Sequence, residues 1–236
     1  MTTTDASPTT RVFLVRHGQS VANAGGIPDD HITNPLTELG QAQAKSFAEG
    51  FSCSPTLFVR SSFLRAQQTS EPLLKIFPEV PVEEWPIHEF TYLEPTRHNG
   101  TAEEQQMPHI REYWERGDPA YIDGPNAESF SLFLDRARAA IKRLTQIPPG
   151  NCVVVFTHGL LMQAIRLLLL FPDATDMELM SNFRRFHATN FISNLDSLEF
   201  EIVDHHIRMI GQQYLDSFTL EGEPSCLNTR ILCSKP

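Results

Sequence analysis

Residues 11–18 read RVFLVRHG and residues 152–159 read CVVVFTHG, and these two stretches decide the fold class. Each is an apolar run of strand length that ends in a His-Gly pair. The run over 152–157 is rich in β-branched residues and apolar on both faces, which is typical of a central parallel strand. Because ligands bind beyond the carboxyl ends of the strands in such a sheet, the two His-Gly pairs are predicted to meet at one crevice.

Further strands and helices alternate along the chain. Residues 56–60 (TLFVR) predict a second strand, and residues 80–85 predict a third strand that prolines keep short. Helices are expected in four places: from a cap at Thr37 to about Gly50, after a cap at Ser61 or Ser62, over residues 130–144, and over residues 160–170. This alternation predicts an α/β fold, with a mostly parallel central sheet flanked by helices.

The domain boundaries follow from composition. Residues 1–10 are predicted to be a disordered tail, and residues 11–236 a single α/β domain. Residues 86–127 carry too few apolar residues for a core of their own. We therefore expect them to form an irregular and helical insertion over the crevice, with one helix near residues 102–116.

The region after residue 171 carries weaker patterns. Residues 189–195 and 198–203 predict closing strands, paired as a hairpin around residues 196–197. Arg184 and Arg185 are expected on a surface turn.

Charge and composition exclude several classes of function. The formal net charge is −10 and the pI is about 5.3, which argues against a protein that mainly binds nucleic acid or anionic membranes. The longest apolar run, residues 160–171, is interrupted by Gln163 and Arg166 and is too short for a bilayer. The first ten residues lack the apolar core of a signal peptide, and the four cysteines are scattered. We expect a cytoplasmic protein, and the sequence leaves its oligomeric state open.

Polar residues cluster at the predicted strand ends. Arg16 and His17 end the first strand, Arg65 opens the helix after the second, and His158 ends the strand at 152–157. Two Arg and two His side chains at one crevice predict an oxyanion-binding cage, and a phosphoryl group is the obvious ligand. The glycines that follow the two histidines permit close approach of a ligand to the backbone.

Five blocks of sequence carry a resemblance to a known family. The segment FLVRHGQSVAN (13–23) resembles the signature of the histidine phosphatase superfamily, which includes the cofactor-dependent phosphoglycerate mutases. The likeness continues, in the family order, in NPLTELGQAQA (34–44), SSFLRAQQT (61–69), AESFSLFLDRARAAI (127–141) and VVVFTHGLLMQAI (153–165). Five ordered blocks in strand-turn-helix settings are far more specific than a lone Arg-His-Gly tripeptide.

The resemblance implies a role for each residue of the cage. It makes His17 a covalent nucleophile, makes Arg16, Arg65 and His158 the phosphate cage, and matches Asn23 to a family asparagine that contacts the phosphoryl group. Neutral imidazole is a competent nucleophile near neutral pH because its ordinary pKa is about 6.5. His158 would contribute best when protonated, a form that a nearby phosphate dianion favours.

The resemblance also implies a general acid shortly after the third strand. Glu89, within PIHEFTYLEP, matches best, Glu94 is the second candidate and Glu103 the third. Many relatives have Gly and an aromatic residue after the acid, whereas here residues 90–93 (Phe-Thr-Tyr-Leu) follow Glu89. Glu128 also lies in a matching block, but an acidic first turn of a helix explains it equally well, so it stays outside the catalytic set.

Other polar residues have two interpretations. Arg97 and His98 are candidates for binding the non-reacting part of an anionic substrate, and a solvated loop explains them equally well. Residues 204–206 (Asp-His-His) lack a fourth ligand at a recognisable spacing, so a solvated strand end is expected and no metal site.

Together these features predict a metal-independent and cofactor-independent phosphomonoesterase. Its substrate would be a small phosphorylated molecule, and it would pass through a phosphohistidine at His17. Two alternatives stay open. One is a phosphoglycerate mutase, for which residues 101–119 keep a partial likeness; the other is a catalytically silent member that binds phosphorylated ligands.

Overall fold

A six-stranded sheet forms the centre of the protein. The computed structural model describes residues 9–211 and 218–220, which form six strands in the spatial order β3-β2-β4-β1-β5-β6. Their bounds are β1 Thr10–Arg16, β2 Leu57–Ser61, β3 Val82–Trp85, β4 Cys152–Thr157, β5 Ser197–Val203 and β6 His206–Met209. The four strands from β3 to β1 are parallel, while β5 and β6 are antiparallel, which confirms the mostly parallel sheet.

Seven α-helices in the described part of the chain flank this sheet. They are α1 Glu38–Gly50, α2 Leu64–Ile76, α3 Pro95–His98, α4 Glu103–Arg116, α5 Phe130–Thr145, α6 Gly159–Leu170 and α7 Asp176–Thr189. The Thr37 hydroxyl accepts the Gly40 N–H and begins α1, as the sequence predicts. None of these helices combines the length and hydropathy that a membrane span requires.

Alternation along the central strands divides the core between the two faces of the sheet. Phe13 and Val15 of β1 pack with Leu73 of α2 on one face. Val12 and Leu14 pack on the other face with the apolar sides of α5, α6 and α7. Helices on both faces therefore bury residues 12–15 of β1 and residues 153–156 of β4.

The sheet register places the carboxyl ends of three strands at one edge. Arg16 of β1 is paired with Thr157 of β4, and Arg60 of β2 is paired with Phe156. The residues that directly follow β1 and β4 are His17 and His158, so the polar strand ends meet as predicted.

Several local predictions were wrong. Residues 189–195 form no strand, because α7 continues to Thr189 and an irregular segment follows it. The hairpin instead joins β5 to β6, and it turns at Asp204 and His205, which both adopt positive φ. Arg184 and Arg185 lie within α7 rather than on a turn.

The starts of α7 and α2 differ from what the sequence predicted. The start of α7 has a capping box in which Thr175 and Glu178 satisfy each other's backbone N–H groups. Neither Ser61 nor Ser62 caps α2: Phe63 occupies the cap position with no side-chain bond, and Ser61 turns toward the crevice.

The termini extend beyond the described residues. Strand β1 already begins at Thr10, so the predicted tail boundary was one residue too late. Residues 1–8 lie outside the described part of the chain, as do Cys226 and Cys233.

Candidate active site

A cavity of about 430 Å³ opens at the carboxyl edge of the parallel strands. Arg16, His17, Arg65 and Glu89 line it, and the exposed residue Asn23 lies at its mouth; all five are candidate site residues from the sequence. Its outer walls come from residues 22–34 and from the insertion at 86–127. This volume is within the range of small-molecule sites.

Two hydrogen bonds fix the tautomer of His17. Its Nδ1 lies 2.7 Å from the carbonyl oxygen of Gly18, which can only accept, so Nδ1 carries the hydrogen. Its Nε2 lies 3.0 Å from Nε of Arg65, which can only donate, so Nε2 carries the lone pair. The nitrogen that faces Arg65 therefore carries the lone pair that a nucleophile would use.

The surroundings of His17 keep its ring neutral. The side chain is 3% exposed, and burial together with the charges of Arg65 and Arg16 holds its pKa well below the ordinary value. A neutral imidazole with a directed lone pair is the form that attacks phosphorus.

Arg65 is a buried cation at the start of α2. Its Nη1 donates to the carbonyl oxygen of His31 at 2.7 Å, which holds the guanidinium against His17. Burial lowers its pKa to about 10, and the Glu89 carboxylate opposes that shift. Arg65 therefore stays positively charged at neutral pH.

Arg16 is the last residue of β1 and directly precedes His17. One Nη1 hydrogen is donated to the carbonyl oxygen of Ile192, while the buried Nε has no partner among the described residues. A Cβ atom on Gly159 would lie only 3.3 Å from this Nε, so glycine leaves the guanidinium its place at the start of α6. An unpaired buried N–H beside a cavity is suited to an anionic oxygen.

His158 packs behind His17, with 5.1 Å between the ring centroids. It is completely buried, its Nε2 lies 2.8 Å from Oγ of Ser61, and its Nδ1 has no partner among the residues that the structure describes. Burial, with Arg65 and His17 nearby, holds its pKa well below the ordinary value. The His158 ring is therefore neutral in this site. From the sequence, Ser61 was only a possible helix cap, and its contact with His158 was not predicted.

Asn23 lies in a short 3-10 turn at the cavity mouth. Its Oδ1 accepts from Nδ2 of Asn194 at 3.1 Å and from the Ser20 N–H at 3.3 Å. Asn194 also donates to the carbonyl oxygen of His17 at 2.8 Å, so it links Asn23 to His17. Asn194 belongs to no motif, and no sequence signal points to it.

Glu89 faces the cavity at the N-terminus of α6. Its carboxylate accepts the Leu160 N–H at 3.1 and 3.4 Å, and also the Phe90 N–H at 3.1 Å. The N-cap residue His158 provides no side-chain cap for α6, so Glu89 supplies it from another segment. The Glu89 side chain is half-buried.

The ion pair between Arg136 and Glu128 holds the loop that carries Glu89. Arg136 of α5 donates from Nη1 to the carbonyl oxygens of Pro86 and His88, at 2.9 and 3.0 Å. It also binds both carboxylate oxygens of Glu128, and Glu128 accepts the Thr91 N–H at 3.2 Å. Arg136 and Glu128 therefore fix the backbone on both sides of Glu89, a role that sequence analysis missed for both residues.

The other acid candidates differ from Glu89. Glu94 is buried outside the cavity lining and accepts four hydrogen bonds, two from Asn126 and two from Thr96. The Asn126 bonds lower its pKa to about 2, so it has no proton to give near neutral pH. The side chain of Glu103 lies outside what the structure describes.

The remaining polar candidates separate clearly. His98 lines the cavity, but Arg97 forms an ion pair with Asp123 instead. Asp204, His205 and His206 are exposed at the β5–β6 turn. Within residues 9–211 and 218–220, no three His, Cys, Asp or Glu side chains form a group suited to a metal ion.

Comparison with known proteins identifies the family. The family model for the histidine phosphatase superfamily (branch 1) matches residues 12–197. The chain belongs to the histidine phosphatase superfamily. All five sequence blocks of the resemblance lie within the matched residues.

Relatives within the superfamily are named for different activities. The chain is 30% identical over 179 residues to a metal-independent phosphoserine phosphatase of Arabidopsis thaliana, which covers 68% of this chain and 69% of that protein. It is 28% identical over 157 residues to the probable phosphoglycerate mutase GpmB of Photorhabdus laumondii, covering 64% and 70%. A mycobacterial glucosyl-3-phosphoglycerate phosphatase has the same fold, with a TM-score of 0.63 and 23% identity over 86% of this chain and 97% of that one. The superfamily thus includes both phosphatases and mutases.

Proposed function

We propose that this protein is a phosphomonoesterase that acts through a phosphohistidine at His17. The observation that carries the proposal is the fixed tautomer of His17, whose Nε2 lone pair points to Arg65 inside the cavity. A buried histidine without a catalytic role has no need of a neutral ring whose lone pair is directed at an arginine.

In the first step, Nε2 of His17 attacks phosphorus and the bond to the alcohol oxygen breaks. Arg16 and Arg65 bind the phosphoryl oxygens and stabilise the charge of the transition state. His158 contributes the unpaired Nδ1 beside His17, and Asn23 binds the phosphoryl group at the cavity mouth. An incoming phosphate dianion would also favour protonation of His158.

Glu89 completes both steps in this mechanism. It protonates the departing alcohol and then, as a carboxylate, removes a proton from the water that attacks phospho-His17. Two observations support a place for Glu89 in this mechanism: it lines the cavity, and its charge raises the pKa of both Arg16 and Arg65. The two cations favour the carboxylate form, which suits the second step, in which Glu89 acts as a base. The two arginines supply the positive charge, so the mechanism includes no metal or organic cofactor.

The mutase alternative needs more positive charge than the cavity offers. A mutase must hold substrates with a second anionic group while the phosphoryl group returns to them. Among the described residues that line the cavity, Arg16 and Arg65 are the arginines, and there is no lysine.

The net charge of −10 also argues against nucleic acid and anionic membranes as partners. The free thiols of Cys53 and Cys152 support a cytoplasmic location.

One screen tests the proposed activity. Purified protein in a metal chelator is incubated with a panel of phosphorylated metabolites, and both phosphate release and phosphoryl shift are measured. Release without shift supports the phosphatase. Shift that depends on a bisphosphate primer would establish a mutase, and turnover of no compound would leave the silent ligand-binding member.

A further inference from the structure

The outer part of the cavity has an apolar wall. Beyond the cage, the lining includes Phe90, Tyr92, Leu93 and Ile110 from the insertion. Tyr92 packs against Trp114 and Tyr113, at centroid distances of 5.6 and 4.9 Å, so this side of the wall belongs to a larger aromatic cluster. The wall is therefore backed by the core.

The polar groups of this wall are uncharged at neutral pH. Asn99, Thr101 and Gln106 contribute amide and hydroxyl groups. Besides His17 in the cage, the histidines that line the cavity are His31 and His98, and burial lowers the pKa of both below the ordinary value. Both rings are therefore mainly neutral at pH 7 and above.

Arg97, a cation in the short helix α3, is directed away from the wall. Arg97 follows the wall residue Pro95 closely in sequence, yet its guanidinium donates to the carboxylate and the carbonyl oxygen of Asp123. Arg97 is absent from the cavity lining, and no Lys, Asp or further Glu lines the outer part among the described residues. A second anionic group on a substrate would find no partner on this wall.

We infer that the substrate is a phosphomonoester of an uncharged alcohol with an apolar or aromatic body. This inference rests on the proposed function, because the cage must hold the phosphoryl group for the alcohol to reach the wall. An apolar body gains free energy from burial against Phe90, Tyr92 and Ile110. A carboxylate in the same place loses its hydration and gains no ion pair.

The first test compares three alkyl phosphates with similar demands on the general acid. They are ethyl phosphate, 2-phenylethyl phosphate and 3-phosphoglycerate. Complete burial of a phenyl group predicts kcat/KM for 2-phenylethyl phosphate about 10- to 100-fold above that for ethyl phosphate. The value for 3-phosphoglycerate is expected to be no higher than that for ethyl phosphate.

The second test moves a positive charge onto the wall. Gln106 of α4 lines the cavity, whereas Gln105, the preceding residue, is exposed and does not. Each side chain makes local hydrogen bonds at the start of α4, so Gln106→Arg and Gln105→Arg form a matched pair. We expect Gln106→Arg to raise the kcat/KM ratio of 3-phosphoglycerate to 2-phenylethyl phosphate about tenfold or more, by supplying one ion pair. Gln105→Arg is expected to leave the ratio close to that of the wild type.

The outcomes separate the inference from the function beneath it. Hydrolysis of all three compounds with 3-phosphoglycerate equal to or better than 2-phenylethyl phosphate overturns the inference and leaves the phosphatase standing. Equal ratios in Gln106→Arg and Gln105→Arg also overturn it, because the wall would then not contact the alcohol. Hydrolysis of none of the compounds overturns the proposed function, and the inference falls with it.

Discussion

The Nε–H of Arg65 donates to Nε2 of His17 across 3.0 Å, so one guanidinium holds the lone pair of the proposed nucleophile. A phosphoryl group offers Arg65 charged oxygens, which accept more strongly than a neutral imidazole. In the proposed mechanism, Arg65 therefore moves to the phosphoryl oxygens when a substrate enters, and the lone pair of His17 is freed. This exchange would couple substrate binding to release of the proposed nucleophile.

His17→Ala should abolish turnover and leave the protein folded, because His17 lies beyond the end of β1 rather than inside the sheet. Wild-type protein quenched during turnover should carry an acid-labile, base-stable phosphate on the peptide that contains His17, measured by mass spectrometry. The matched control is His206→Ala, at the exposed β5–β6 turn, which should retain full activity. Substantial activity in His17→Ala would exclude the covalent mechanism.

Arg65→Ala and Arg65→Lys should both lose most of kcat/KM. A guanidinium can donate two parallel hydrogen bonds to one phosphoryl group, and an ammonium cannot reproduce that fork. The loss should be about 2.7–4 kcal/mol in transition-state stabilisation, by analogy with removal of one oxyanion donor. Arg138→Lys, at a half-exposed pair with Asp135 and Asp176, is the control and should be nearly silent. A near-normal rate for Arg65→Lys would show that this guanidinium does not bind the phosphoryl group.

Glu89→Gln should slow the phosphorylation burst on an alkyl phosphate much more than on nitrophenyl phosphate. An alkoxide needs a proton to depart, whereas nitrophenolate needs far less help, and general acid catalysis contributes about 10²–10⁴-fold. The amide oxygen of Gln can still accept the Leu160 N–H, so α6 keeps its cap. Glu94→Gln should not change the ratio of the two bursts, because Glu94 lies outside the cavity lining. Equal slowing of both bursts in Glu89→Gln, or of neither, would remove Glu89 from this role.

Arg136→Met should reproduce part of the Glu89→Gln effect from a distance. Without Arg136, the carbonyl oxygens of Pro86 and His88 lose their donor, and Glu128 is left without its ion partner. Glu89 would then be less well placed, so the alkyl burst should fall more than the nitrophenyl burst. A merely structural role would slow both bursts equally or lower only the melting temperature. Arg138→Met, two residues along α5, should leave the ratio unchanged.

The free energy of unfolding should fall as the pH decreases from 7 to 5. Burial and the nearby Arg136 lower the pKa of His88 to about 4, while in the unfolded chain it titrates near 6.5. The stabilising contribution is therefore complete above about pH 6.5 and is lost as the pH falls toward 4, by on the order of 1–2 kcal/mol at pH 5. Denaturant unfolding at both pH values measures the loss, and His88→Gln should show a smaller difference between them. An equal difference in the variant would mean that His88 is not held neutral by the fold.

Sequence predicted the features that follow from local pattern. The apolar runs in β1 and β4 and the cap at Thr37 each depend on a short stretch of sequence. The strand ends of a parallel sheet share one edge. His17, Arg16, Arg65 and His158 therefore came together as expected, although they are far apart along the chain. The Thr175–Glu178 capping box was equally local, and α7 was missed although that signal was present.

Other features depend on contacts that no local pattern encodes. The hold of Arg136 on the Glu89 loop joins residues about 50 positions apart, and the bond from Asn194 to His17 spans 177 positions. Two of the four hydrogen bonds that engage Glu94 come from Asn126, which lies 32 positions further along the chain. Side-chain partners of this kind are decided by tertiary packing.

The separation of Gln106 and Ile110 from the cage has a consequence for how substrate preference can evolve. Both residues project from α4, a helix that contributes nothing to the contacts among His17, Arg65 and His158. Substitutions on its cavity face can accumulate under selection for a new metabolite while the inherited phosphate chemistry persists unchanged. Such a helix is the place where duplicated genes of one ancestor would diverge first, and where an engineer would direct a library.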